Sequence, residues 1–532
     1  MASVTVAAAY ICLIWSTCVC LVQFVGITRL FRKFSSPPSP PVSPTLPRDR
    51  VPHVTAIRPV KGLEPHLYEC IASSFRQDYP RDKLTIYLCV AEASDPAYPV
   101  LKKLVEDFPE HDARVFVESE DPLLHGTEGY LNNLGPNPKI RNISRAYREA
   151  KGDLVWVIDC NVWIPRVTTG HMVDRLMGFA PDGKVTRPYK FVHQIPLVVD
   201  TSDFASRSTA DVQSPLSEPD SDGAPISPAK HSNFTRVRNN GGGRLDEMFM
   251  ATTHAKFYSA INTVGVAPCI VGKSNMFRKS HLDSLTDSAQ NPKLACRADH
   301  PVGIDYFSDY ICEDHLIGDL LWRSRLPGFA NHGLVLGDLA IQPLEGMSVS
   351  EYIARRVRWL RARKWTVLAA TLVEPGVESL FCCGYFAFAV TTIPWFNAVL
   401  DIPSSWTAML AIWAGAISLW MLMDRMLFTH LHTGASVYVD ADTPCFARGT
   451  SHPGGVRARP FREWIAAWVG RELLAMPIWT WAVLLGTTVN WRGKSFTVRM
   501  DMSVVEKKGS GGRPRRLTPE IELGKGNKNR VD

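Results

Sequence analysis

The chain has 532 residues, room for about two to four domains of ordinary size, with 45% hydrophobic and 21% charged residues. The net charge of +7 is modest and its basic residues gather beside apolar segments, which argues against a nucleic-acid partner and for anionic lipid headgroups. Twelve cysteines are scattered without a CxxC pair, which argues against a zinc site. The mean hydropathy of −0.05 averages very unlike segments.

Residues 1–28 carry no charged side chain and exceed the roughly 20 residues a bilayer span needs. Arg29, Arg32 and Lys33 follow at once. A cleaved signal peptide places its positive charge before the apolar run, so this order predicts an uncleaved anchor whose C-terminal side faces the cytosol. Residues 29–50 are a linker, with six prolines between Phe34 and Arg48.

From residue 51 the pattern alternates. Val54–Ile57, Leu84–Val90, Arg114–Val117 and Leu154–Ile158 read as strands, while His66–Phe75, Val100–Phe108 and Ile140–Lys151 read as helices. This predicts a parallel, doubly wound, Rossmann-like α/β domain over 51–354, with ligands bound beyond the carboxyl ends of its strands. Residues 201–244 are dense in Ser, Pro, Asp, Gly and Asn, predicting a disordered insertion. The sequons at Asn142 and Asn233 go unused on a cytosolic domain.

Glu92 and Asp95 lie just after one predicted strand and Asp159 just after another. A carboxylate ending a run of Leu, Val, Trp, Val and Ile needs a cation or donors, and Asn161 adds a neutral oxygen in a D-x-N variant of the D-x-D metal motif. An Asx-turn is the plainer alternative at Asp159, and a turn before Pro96 at Asp95. Asp314 opens a helix-like run; acids there favour the positive helix end, while a general base supported by Glu313 is the functional alternative. Arg355, Arg358, Trp359 and Ala362 share one helix face. That face suits phosphate and a stacked ring, or an interfacial helix with snorkelling arginines over 355–374. His254 reads first as a structural histidine, with a role near acceptor or diphosphate as the alternative.

Three further apolar segments lie in 375–489: Ser379–Leu400, Ser404–Met423 and Trp464–Val489. Basic residues before the first and between the second and third fit alternating crossings. Arg471 and Glu472 interrupt the third. The nearly uncharged Leu473–Thr488 tips the expectation slightly towards a crossing, although a crossing would carry the basic tail, 490–532, into the lumen.

Spaced aspartates followed by Arg355-x-x-Arg358-Trp359 resemble the Q/R-x-x-R-W pattern of inverting GT-A glycosyltransferases, and more closely the ceramide glucosyltransferases of fungi. The matching stretches are Ile57–Gly62, Asp78–Pro80, Cys89–Ala97, Asn137–Ile140, Glu313-Asp314, Arg471-Glu472 and Asn490–Arg492. The resemblance implies a GT-A domain with one N-terminal and about three C-terminal membrane helices, on the cytosolic face of Golgi or ER membranes. It implies transfer of glucose from UDP-glucose to the primary hydroxyl of ceramide. Carried over, Asp314 is the base and Asp159 with Asn161 holds Mg²⁺ or Mn²⁺. Asp95 contacts uridine, Arg358 steadies departing UDP and Trp359 lines the acceptor entrance, with Glu92, Lys139, Arg355 and His254 completing the substrate-binding set. The chain departs from the pattern at Arg355, where many relatives carry Gln, and at His315 and Asn161, where an aromatic and a second Asp are expected. A processive polysaccharide synthase or a polyprenyl-phosphate glycosyltransferase shares these motifs, and a non-catalytic sensor of nucleotide-sugar or lipid is the alternative of another class.

Overall fold

The computed structural model describes residues 2–126, 134–180, 183–202, 233–291, 294 and 301–507. Strands β1 (Val54–Pro59), β2 (Leu84–Val90) and β4 (Leu154–Ile158) are buried at every position. Strands so enclosed need cover on both faces, and the helices Leu67–Phe75, Tyr98–Asp107 and Pro138–Arg148 contribute it. With β3 (Asp112–Val117), β5 (Tyr189–Asp200), β6 (Ser274–Arg278) and β7 (Ala330–Leu344) they form one sheet in the order β3-β2-β1-β4-β6-β5-β7. The pairs β1–β2, β2–β3, β1–β4 and β5–β7 are parallel.

β6 runs antiparallel to both neighbours, so the α/β sheet is mixed where the sequence pattern predicted a parallel one. Its five residues, Ser-Asn-Met-Phe-Arg, hold no apolar run that would announce a buried strand. The strand order turns between β1 and β4, which opens a crevice at their carboxyl ends.

Among the described residues two helices are long and apolar enough to span a bilayer, Val4–Lys33 and Trp406–His432. Leu368–Val377 and Ser379–Thr392 together have the length and apolarity of a further span, bent by 69° at the break between them. The helix Ala2–Lys33 packs on both Ser379–Thr392 and the helix Ala255–Val264. Gly26 permits the second contact, because a Cβ there would stand 2.1 Å from the Lys256 carbonyl oxygen. Lys256 Nζ in turn lies 2.6 Å from Asp424 Oδ1 with both side chains buried, and Trp468 Nε1 donates to Asp424 Oδ2 at 2.9 Å. A charge inside a helical bundle needs such partners.

The helix Phe461–Trp479 does not continue as a span. Pro477 lies inside it, a π-turn follows over Thr480–Leu484, and Arg471 is buried against Glu378 at 2.9 Å. Both of its flanks are tied to the α/β body or the helix that extends it. Arg459 Nε donates to Glu247 at 3.1 Å before the helix, and Thr488 accepts from Arg361 Nη1 at 2.6 Å after it. Both flanks thus contact the same body, and the buried charged pair splits the apolar run that read slightly as a crossing.

The expected tail is also partly folded. β8 (Thr488–Trp491), β9 (Lys494–Val498) and β10 (Val504–Glu506) make an antiparallel sheet. It docks through Val504 N, which donates to Asp309 O at 2.8 Å. Residues 508–532 lie outside the described residues, as do 203–232 of the expected insertion, whose end instead forms the helix Asn233–Phe249. Asn142, in a sequon, is buried and donates to the Cys89 carbonyl at 3.1 Å.

Candidate active site

Asp159 follows β4 at the crevice, its carboxylate 3.2 Å from Lys139 Nζ and 3.0 Å from Lys273 Nζ. Lys139 sits in the first turn of the helix Pro138–Arg148, whose cap Asn137 accepts from the Lys139 and Ile140 amides. The same Nζ reaches Glu313 at 3.2 Å, and Asn137 donates to Glu313 at 3.1 Å. Burial favours a neutral Asp159, but the two ammoniums outweigh it and hold the carboxyl well below its ordinary range. Burial opposes the charge on Lys139, yet Asp159, Glu313 and Asp314 push it above the ordinary lysine value.

Asp314 begins the helix Glu313–Arg323 and is half-buried. Its carboxyl is pushed up, first by burial, with Lys139 opposing and Asp159 adding to the rise. Among Asp159, Glu313 and Asp314, only Asp314 has no described cation within ion-pair distance. Gly272 lies against it; a Cβ there would stand 2.6 Å from Asp314 Oδ2.

A second edge of the crevice is built by the loops after β1 and β2. Asp95 accepts from the Gly62 amide at 3.0 Å and the Ala97 amide at 2.8 Å, fixing the β1 loop to the turn before the helix Tyr98–Asp107. Glu92 is exposed and accepts from Ser94 at 2.9 Å. Asn161 is buried, with Oδ1 3.4 Å from Lys273 Nζ.

The Mg²⁺ or Mn²⁺ expected at Asp159 and Asn161 does not fit this donor set. Both oxygen groups face Lys273, Asp159 also faces Lys139, and no group of three His, Cys, Asp or Glu suited to a metal exists among the described residues. A dication seated there would adjoin two ammoniums.

Sequence reasoning missed two side chains that build this cluster. Lys273 lies immediately before β6, with no spacing signal linking it to Asp159. Arg58, fully buried in β1, donates from Nη1 to the carbonyls of Asp159 and Val162, each at 2.8 Å, and from Nη2 to Ser74 at 2.7 Å. Burial pulls its guanidinium down to about 10.

The helix Val349–Arg363 carries the arginine–tryptophan box behind a capping box of Ser348 and Glu351. Arg355 turns inward: it is buried, Nε 3.4 Å from Asp246 and Nη2 donating to Gln342 at 3.2 Å, its guanidinium 4.7 Å from the Trp359 ring. That placement makes Arg355 a support for Trp359, where the sequence pattern predicted a substrate contact. Arg358 and Trp359 are half-buried. His254 stacks on Tyr258 with ring centroids 5.1 Å apart, and burial, aided by Arg356 and Arg363, lowers it to about 3.

Beside this helix lies a cavity of about 210 Å³. Arg356, Glu374, Glu378 and Arg471 form its polar part. Exposed apolar Phe381, Leu473 and Met476 also line it, giving it an amphipathic wall next to the membrane helices.

A Rossmann-like sheet with charged groups at its switch point, joined to membrane helices, has the build of a membrane-bound glycosyltransferase. The model of glycosyl transferase family 21 matches residues 9–207 and 229–504, and the chain belongs to that family. A ceramide glucosyltransferase of Pyricularia oryzae is 60% identical, covering 94% of this chain and 96% of its own. One of Gibberella zeae is 53% identical over 96% of each chain. The solved mannosyltransferase PcManGT from Pyrobaculum calidifontis, in complex with GDP-Man and Mn²⁺, is similar at a TM-score of 0.38 and 17% identity, covering 80% of this chain and 96% of that one.

Proposed function

We propose that this chain makes glucosylceramide, transferring glucose from UDP-glucose to the primary hydroxyl of ceramide with inversion at the anomeric carbon. The observation that carries the reading is Asp314, an acid at the Lys139–Asp159 cluster without a described cation at ion-pair distance. A carboxylate so placed is suited to accept a proton from a hydroxyl. Family membership and relatives named as ceramide glucosyltransferases support the choice of sugar and acceptor.

The donor occupies the crevice with uridine beside Asp95 and Glu92 and its diphosphate towards Lys139 and Lys273. The ceramide oxygen bonds to the anomeric carbon as the bond to UDP breaks, and its proton passes to Asp314. The bonding electrons leave with UDP, whose growing charge is met by the two lysines and Arg358. Trp359 lines the acceptor's approach, with Arg355 bracing its ring. The amphipathic cavity takes part of the lipid, its amide and secondary hydroxyl towards Glu378 and Arg471 and its chain towards Phe381 and Met476. His254 serves as a neutral hydrogen-bonding group. The catalytic body faces the cytosol at Golgi or ER membranes.

The test offers membranes bearing the full chain UDP-glucose, UDP-galactose or UDP-N-acetylglucosamine with short-chain ceramide. Glucose alone should appear in a chloroform-soluble product cleaved by a β-glucosidase. An insoluble polymer, or transfer from another donor only, would refute the assignment.

A further inference from the structure

The hairpin of β8 and β9 reaches the donor crevice from the far end of the chain. Its two-residue turn is Arg492–Gly493, with φ of +51° and +81°. Two successive positive φ values define the type I′ geometry, for which Asn-Gly is the favoured pair. Gly493 suits its place. Arg492 does not: a side chain with a Cβ is held in the left-handed region where Asn or Gly would sit more easily. A residue held against local preference points to work done by its side chain.

Its surroundings indicate what that work is. Lys61, just beyond β1, donates from Nζ to the Arg492 carbonyl at 2.5 Å, pinning the turn to the loop whose Gly62 amide is bound by Asp95. The charge of Arg492 helps burial pull Lys61 down, and it is also felt at Cys160, next to Asp159. The turn thus lies against the loop after β1, within electrostatic reach of Cys160 just beyond β4. Arg492 is half-buried, its guanidinium 5.5 Å from the Trp491 ring, and no described acid or hydrogen-bond acceptor partners it. Behind the turn, the hairpin is anchored by Val489, Phe496 and Val498 packing with Ile311 and Trp365, two residues that flank the candidate base and the arginine–tryptophan helix.

We propose that Arg492 is a donor-binding residue and the hairpin a clasp across the crevice, the guanidinium taking the diphosphate of the nucleotide sugar from the side opposite Lys139 and Lys273. An arginine fork matches phosphate oxygens in a bidentate manner that a lysine does not. The inference rests on the nucleotide-sugar reading above.

The test uses the detergent-solubilised full chain and UDP itself as the probe, by titration calorimetry, with Arg492→Asn and Arg492→Lys. Asn suits the turn better than Arg, so the hairpin survives and the thermal midpoint holds or rises. The expected result is UDP affinity at least tenfold weaker in Arg492→Asn and partly restored in Arg492→Lys, with the KM for UDP-glucose raised and that for ceramide unchanged. Equal UDP affinity in wild type and Arg492→Asn would overturn the role of Arg492 alone. A wild-type chain that binds no UDP would overturn the nucleotide-sugar reading and this inference with it.

Discussion

Arg58 Nη1 donates a 2.8 Å hydrogen bond to the backbone carbonyl of Asp159. The arginine is wholly inside the sheet, so the acid at the strand end is positioned from beneath by a cation that never meets solvent. Arg58→Met keeps the volume but strands the Asp159 and Val162 carbonyls. Each orphaned buried acceptor costs about 1–3 kcal/mol, so a loss on the order of 3 kcal/mol is expected. Thermal unfolding measures it, together with a raised donor KM in whatever protein still folds.

Asp314 predicts a pH dependence. Burial raises its carboxyl above the ordinary value of 3.8, Lys139 pulls it back and Asp159 pushes it up, with Glu313 adjacent. A general base works only when deprotonated, so kcat/KM should fall as pH drops through that raised value. Lys139→Met removes the opposing cation and moves this acid limb to higher pH; Asp159→Asn removes an anion and moves it lower. A pH–rate profile for the three proteins checks the order, and coincident limbs would contradict it.

Gly272→Ala tests the same acid by steric means. The new Cβ would stand 2.6 Å from Asp314 Oδ2 and must displace the carboxylate. Misplacing a reacting group by about 1 Å can cost on the order of 100-fold. The expected outcome is a kcat loss of that size with the thermal midpoint nearly unchanged.

The C-terminal sheet predicts topology. Val504 N bonds to Asp309 O and Lys61 Nζ to Arg492 O, so the sheet over 488–506 sits against the α/β body. An epitope placed after residue 532 should be digested by protease added to sealed, cytosol-out microsomes without detergent. Protection in intact vesicles would restore the crossing over Trp464–Val489.

Much of this molecule is written in local pattern. β1, β2 and β4 are enclosed on both faces, and the apolar run of β4 placed Asp159 at a strand end. β5 and β7 were illegible because buried Lys190, His193, Gln194, Asp338 and Gln342 interrupt their apolar pattern. Lys273 became visible only once β6 paired with β4, a contact across more than a hundred residues that no spacing encodes. The box Arg355–Trp359 was recognisable as helix, but which arginine turns inward is set by Asp246 and Gln342 on other elements.

The most direct test compares wild type with Asp314→Asn for transfer of radiolabelled glucose from UDP-glucose to short-chain ceramide in membranes. The account predicts a lipid-soluble product whose rate falls by roughly 10²–10⁴ in the variant, the range for loss of a general base, with UDP binding retained. Undiminished transfer by Asp314→Asn would contradict it.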